Sequence, residues 1–327
     1  MSKFLSKCSI DTLYQAAQSL KEGSLVAFPT ETVYGLGADA TNEEAVARIY
    51  EVKGRPSNHP LIVHIADLKH LEQWISDIPE YAVELARAFW PGPMTLILSR
   101  SYLAKDFITG GQNTVGIRIP DNSVALELLD AVHKLGCPGI AAPSANRFGQ
   151  VSPTTAVAVQ DELRDYLTDS DSIIDGGSSA VGLESTIIDC TRDIPKILRP
   201  GAVTAVMIEE VTGLKFDVVS EHLDDFEDLR IRVSGSFENH YAPKAKVILD
   251  KNPLPRNGFI ALKKNKTPKG VIRLAEPRTI QEYAQILYEA LREGDRQNLD
   301  AIYVFQPTGD GLAVAIRDRL ARSAKGR

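Results

Sequence analysis

Apolar residues recur along this chain at two spacings, helical and strand-like, and their alternation predicts an α/β protein. Leu13, Tyr14, Ala17 and Leu20 predict an amphipathic helix over 11–20. A short apolar run over 25–28 predicts a buried strand, stopped by Pro29, which has no N–H to donate to a ladder. Polar Thr30, Glu31, Thr32 and Tyr34 follow, then Gly35 and Gly37, which predict a turn with positive φ and close ligand approach. Thr41 with Glu44 reads as a capping box that starts a helix with the buried stripe Ala45, Val46, Ile49, Tyr50 and Val52. Gly54 suits its cap and Pro56 forbids its continuation, so Lys53 and Arg55 sit at the corner before the apolar strand over 61–65.

Further on, Asp67 caps a short helix with Leu68, Leu71 and Trp74, and residues 80–89 form another. The breaker Trp90-Pro91-Gly92-Pro93 turns the chain into a strand over 94–98, and a loop over 109–113 leads to a strand over 114–120. A periodic helix over 123–135 precedes a strand over 139–142 that enters Pro143-Ser144-Ala145-Asn146-Arg147. Ser152-Pro153-Thr154 reads as a helix start with proline at the first helical position, followed by polar residues to Asp171. Strands over 172–177 and 185–189 flank a Gly/Ser loop, and one over 197–201 ends in a cationic turn. A helix over 203–211, acidic residues over 221–228 and Ser234-Gly235-Ser236 then change the character to that of a linker. From Lys246, strands over 247–249, 258–261, 271–274 and 301–305 alternate with helices over 279–292 and 311–324, a small open α/β unit. The division is therefore 1–202, a linker over 203–245, and 246–327.

Composition narrows the function classes. The 327 residues are 43% hydrophobic and 24% charged, as in ordinary globular proteins. No apolar run approaches the ~20 residues that span a bilayer and the N-terminus carries no signal-peptide core, so a cytoplasmic protein without membrane contact is expected. Cys8, Cys137 and Cys190 lack metal-ligand spacing. The net charge of −6 argues against a general nucleic-acid binder, so a polyanion site has to be a local patch drawn from Lys53, Arg55, Arg118 and Arg199. Each candidate also has a plainer reading. Lys53 and Arg55 complement a helix dipole, His64 stands among strand residues, and the Ser144 turn fits an ordinary Asx turn. Such turns at strand ends are nevertheless where α/β sheets hold ligands.

Four ordered motifs change that balance. Pro29-Thr30-Glu31-Thr32-Val33-Tyr34-Gly35-Leu36-Gly37, Lys53-Gly54-Arg55-Pro56 with His59-Pro60-Leu61, Pro143-Ser144-Ala145-Asn146, and His240-Tyr241-Ala242-Pro243 together resemble the YrdC-like threonylcarbamoyl-AMP synthases, in the long form with a C-terminal domain. The resemblance covers most of 10–200, the linker end and 246–324. It implies a twisted mixed α/β sheet with a concave cationic face and a small Rossmann-like C-terminal domain. It implies a nucleotidyltransferase that turns L-threonine, bicarbonate and ATP into threonylcarbamoyl-AMP and pyrophosphate, supplying downstream enzymes that transfer the threonylcarbamoyl group to a tRNA adenosine. Residue by residue, it implies that Thr32, His64, Arg118, Ala142 and Ser185 hold threonine. Arg55, His59, Thr114, Ser144, Asn146, Ser152, Arg199 and Tyr241 would contact ATP, with Lys53 and Arg55 catalytic. Mg²⁺ is expected to arrive with ATP, since no Asp/Glu cluster marks a protein cage for a metal. The linker over 233–239 departs from the Pro-Gly turn and Arg more usual in the family, so its closure is expected to be looser or anchored differently. Two competing readings are a carbamoyl-transfer enzyme of hydrogenase maturation and an RNA-binding module with weak RNA contact and no chemistry.

Overall fold

In the computed structural model of the protein the strands form two sheets. The structure describes residues 5–215, 231–235 and 240–326, so the acidic stretch 221–228 and linker residues 236–239 fall outside it. In chain order the first elements are β1 (Leu5–Lys7), α1 (Ile10–Lys21), β2 (Val26–Phe28), β3 (Gly35–Asp39), α2 (Glu43–Lys53) and β4 (Ile62–His64). After a 3₁₀ turn (Leu68–Gln73) come α3 (Glu80–Phe89), β5 (Met94–Ser99), α4 (Asp106–Thr109), β6 (Thr114–Arg118), α5 (Ser123–Lys134) and β7 (Ile140–Ala141). α6 (Ala156–Leu163), β8 (Ser172–Asp175), β9 (Thr186–Asp189), β10 (Lys196–Arg199) and α7 (Ala205–Thr212) follow. The remainder is β11 (Lys246–Leu249), β12 (Gly258–Ile260), β13 (Ile272–Ala275), α8 (Ile280–Arg296), β14 (Ala301–Val304) and α9 (Leu312–Ala324).

The larger sheet runs β1-β8-β2-β3-β7-β4-β6-β5-β9-β10 and is mixed, while the smaller, β11-β14-β12-β13, is parallel throughout. This is the mixed α/β architecture expected. Strand alternation puts Leu25 and Ala27 into the cluster shared with α2 and α6, and Val26 and Phe28 into the one beneath α1 and α5. The α8 face carries Tyr283, Leu287, Tyr288 and Leu291 into a third cluster that also takes in Val33, Val151 and Leu183 of the larger unit.

Several local expectations are corrected. Tyr14 is 57% exposed, and Ala16 takes its place beside Leu13, Ala17 and Leu20. The cap of α2 is Asn42, accepting from the Ala45 N–H, whereas Thr41 bonds Asp39. α6 begins after Thr155, not at Pro153. Gly35 and Gly37 form no positive-φ turn but open β3, where a Cβ on Gly37 would come within 2.7 Å of Ile140 and 2.9 Å of Phe28. They are small for packing, and β3 is thereby seated between β2 and β7. By contrast α2 ends as expected, on Lys53 with Gly54 as its left-handed cap.

Candidate active site

Register does most of the positioning. β4 and β6 pair in parallel with His64 opposite Arg118, so both side chains leave the sheet at one level. An isolated bridge joins Gly35 to Ser144, bringing the turn after β7 against the start of β3. Ser185 precedes β9, Arg199 ends β10, and Ser234, Gly235, His240 and Tyr241 cross above from the connecting chain. Around a cavity of about 470 Å³, solvent-open mouth included, the structure brings together Thr32, His64, Arg118, Ala142, Ser144, Ser185, Arg199 and Tyr241. Lys53, Arg55, His59, Thr114, Asn146 and Ser152 do not line it.

Within the wall, Thr30 and Thr32 share a 2.9 Å hydroxyl contact, and Thr30 donates to Val33 O, fixing the loop after β2. Arg118 is ion-paired to Glu31 at 2.7 Å, both buried. Burial first, and Arg118 next to it, hold His64 down to about 3, so the ring is neutral at ordinary pH. Arg199 donates through Nε to Ser185 O (3.0 Å), through Nη2 to Ser185 Oγ (3.1 Å) and through Nη1 to Ser234 O (2.8 Å). Tyr241 has φ 62 and a buried hydroxyl without a hydrogen-bond partner among the described residues.

Behind the wall, Lys53 Nζ donates to the carbonyls of Ser144 (2.6 Å) and Asn146. The Lys-x-Arg corner and the Ser-x-Asn turn, with Lys53 and Ser144 lying 91 residues apart in sequence, are thus one bonded unit. Burial and then Arg55 press the Lys53 amine well below its ordinary value. Arg55 donates to Pro60 O at 3.0 Å and is lowered to about 10, mainly by burial. His59 lies against Phe148, ring centroids 5.4 Å apart, and burial followed by Arg55 and Arg232 holds it near 4. Asn146 Nδ2 stitches its turn through Arg147 O and Gln150 O. Thr114 opens β6, four residues and roughly 13 Å of strand from Arg118. Ser152 donates to Glu184 at 2.6 Å.

Glu184, Glu31 and Arg232 escape sequence reading. Glu184 lines the cavity and accepts from Ser152, Tyr288 (2.8 Å) and Arg319 (2.9 Å). It sits in a Gly-Leu-Glu-Ser loop without periodicity, and two of its partners come from α8 and α9, over 100 residues away in sequence. Arg232 answers the expectation about the linker: Nη2 donates to Gly110 O at 2.7 Å, while its N–H and C=O pair with the Gln112 side chain. With Val233 buried beside Ile62, Ile97 and Ile187, the stretch 231–235 is anchored to the larger unit. Among the described residues no group of three or more His, Cys, Asp or Glu could hold a metal, and Glu31 and Glu184 are each taken by an arginine. These donors do not fit a protein-held metal.

The chain is similar over most of its length to known proteins. A family model described as "Telomere recombination" matches residues 18–201, and one described as "Threonylcarbamoyl-AMP synthase, C-terminal domain" matches 203–325. The chain is 40% identical to threonylcarbamoyl-AMP synthase of Pyrococcus abyssi, covering 94% of this chain and 93% of that one. It is also 40% identical to the Bacillus subtilis enzyme of that name, with 96% and 93% covered. A crystal structure of P. abyssi Sua5 complexed with L-threonine superposes with a TM-score of 0.84 at 36% identity, over 98% of this chain and 97% of that one.

Proposed function

The chain belongs to the threonylcarbamoyl-AMP synthase family in its long form, and we infer from that membership and the cavity that it makes threonylcarbamoyl-AMP and pyrophosphate from L-threonine, bicarbonate and ATP for tRNA modification. The observation that carries the reading is the gathering of cations. In a protein of net charge −6, Arg118 and Arg199 line one cavity, Lys53 is bonded behind its Ser144 wall, and Arg55 is buried within electrostatic reach of both Lys53 and Arg199. All three reactants carry negative charge and repel one another until such a site neutralises them.

Threonine is placed against Arg118, with Thr32, His64, Ala142 and Ser185 around it. ATP is proposed to run from Ser144, Arg199 and Tyr241, which line the cavity, toward Arg55, His59, Thr114 and Asn146 outside it, with Ser152 acting through Glu184. The amine adds to bicarbonate with loss of water, and a carbamate oxygen then attacks the α-phosphorus in line, expelling pyrophosphate. Positioning and charge stabilisation are the protein's contribution. Mg²⁺, whose use is consistent with an ATP-consuming family, is assigned to the nucleotide's own phosphates. The linker 231–235 excludes water from the hydrolysable carbamate.

Pyrophosphate release that requires both threonine and bicarbonate tests the function. Salt-sensitive RNA binding without that release would support the RNA-module reading instead. Tyr241→Ala is expected to raise the ATP KM roughly tenfold and, because Tyr241 is buried in the cluster shared by the two units, to lower the urea midpoint while the larger unit stays folded; an unaltered ATP KM removes the linker from the nucleotide site. Gly235→Ala acts on the same contact. Gly235 has φ 82 and its Cβ would lie 2.4 Å from the Tyr241 hydroxyl, so a several-fold rise in ATP KM is expected, and a parent-like KM would show that this crowding is relieved elsewhere.

A further inference from the structure

A buried ion pair crosses from the smaller unit to the cavity wall, and the fold has no need of it for adhesion. The two units already meet through Val33, Val151 and Leu183 against α8. Taking two charges out of water is costly, so a buried ion pair is weak evidence of a stabilising role. Yet Arg319 on α9 is fully buried, donating to Glu184 at 2.9 Å, to Pro200 O at 3.0 Å and to its neighbour Asp318, with its guanidinium 5.2 Å from the Tyr241 ring.

Glu184 is the reason this position matters. Its carboxylate faces the cavity where three anions are to meet, on the same wall as Arg199. Left unpaired, it would repel the reactants and draw in the nearest cation, and Arg199 is within its electrostatic reach. In the structure that capture does not occur. Among the described residues Arg199 donates to Ser185 and Ser234, and the Glu184 oxygens are filled by Ser152, Tyr288 and Arg319.

We propose that Arg319 is a positioning residue for the synthase reaction: by neutralising Glu184 from behind, it keeps Arg199 available to the nucleotide. The inference rests on the reading of Arg199 as an ATP contact. It gives the C-terminal unit an electrostatic part in the chemistry although it contributes no side chain to the reacting atoms.

The test uses the full chain with Arg319→Met, Glu184→Gln, the double variant and Arg199→Ala, reading ATP KM, threonine KM and kcat from pyrophosphate release between pH 6 and 8.5. Arg319→Met is expected to raise the ATP KM about tenfold with the threonine KM within twofold, and to make the ATP KM fall as Glu184 is protonated at the acid end. Adding Glu184→Gln is expected to return the ATP KM to within about threefold of the parent and abolish that pH dependence, because no unpaired carboxylate remains. A purely structural role would give a lower unfolding midpoint without the pH-dependent KM. An unrescued double variant, or an unchanged ATP KM in Arg319→Met, overturns the inference. Should Arg319→Met fail to fold, the double variant decides alone: a parent-like ATP KM supports the inference and a raised one sinks it. Arg199→Ala separates the two levels, since an unchanged ATP KM there removes the underlying assignment as well.

Discussion

Lys53→Met is expected to lower kcat/KM for threonylcarbamoyl-AMP formation roughly a hundred- to thousandfold in a chain that still folds. The ammonium is a peg between two carbonyls, Ser144 O and Asn146 O, at the point where the turn after β7 meets the cavity. Methionine fills a similar volume but leaves both acceptors buried without a donor, at about 1–3 kcal/mol each. A fold of ordinary stability, about 5–15 kcal/mol, withstands that locally. The site does not, because a shift of about 1 Å in Ser144 is enough to cost on the order of a hundredfold in rate, and one of four clustered cations is gone as well. Lys53→Arg should not restore activity, since a planar fork cannot replace a point donor held between two carbonyls. Steady-state pyrophosphate release, with the urea midpoint as folding control, measures this; activity within fivefold of the parent would show that the turn holds itself in place.

Why Lys53 matters was only half legible in the sequence. The helix end that places it follows from Gly54 and Pro56, and the structure ends α2 there. Its partners lie beyond the reach of local pattern, because nothing in the turn after a strand of small residues announces that its carbonyls will accept from a lysine 91 residues before Ser144. The same division runs through the fold. Helices with a clear stripe, such as α3 and α5, stand within a residue of their expected bounds. β3 was hidden because its glycines signal a turn locally, whereas close packing against Phe28 and Ile140 is a tertiary demand. Arg118 could be named as a site cation, but not its pairing with Glu31, and Arg319 reads as an ordinary polar position on an amphipathic helix. Long-range electrostatics are what the one-dimensional pattern lacks.

Those electrostatics also set the second large effect, a loss of stability in mild acid. Burial above all holds His64 and His240 near 3 and His59 near 4, and it lowers His70 as well. Each therefore stays neutral in the fold at a pH where the unfolded chain, titrating near 6.5, has bound a proton. Below 6.5 the unfolded state binds more protons, so stability is complete above about pH 7 and declines as pH falls, until the folded values are reached. For the fully buried pair His64 and His240 the loss is about 2 kcal/mol apiece by pH 5, a large part of ordinary domain stability. Glu184 behaves in a separate window. Burial raises its carboxyl, but Arg319 and then Arg199 override that and hold it near 2, so its contribution is present above 4.5 and disappears only as pH falls toward 2. Urea midpoints at pH 7.5, 6 and 5 should accordingly fall steeply before Glu184 titrates, and His240→Gln should flatten the slope by about one proton. Equal midpoints at pH 7.5 and 5 would mean that these rings find protons in the folded state, and with them that the cationic cavity is far wetter than its geometry allows.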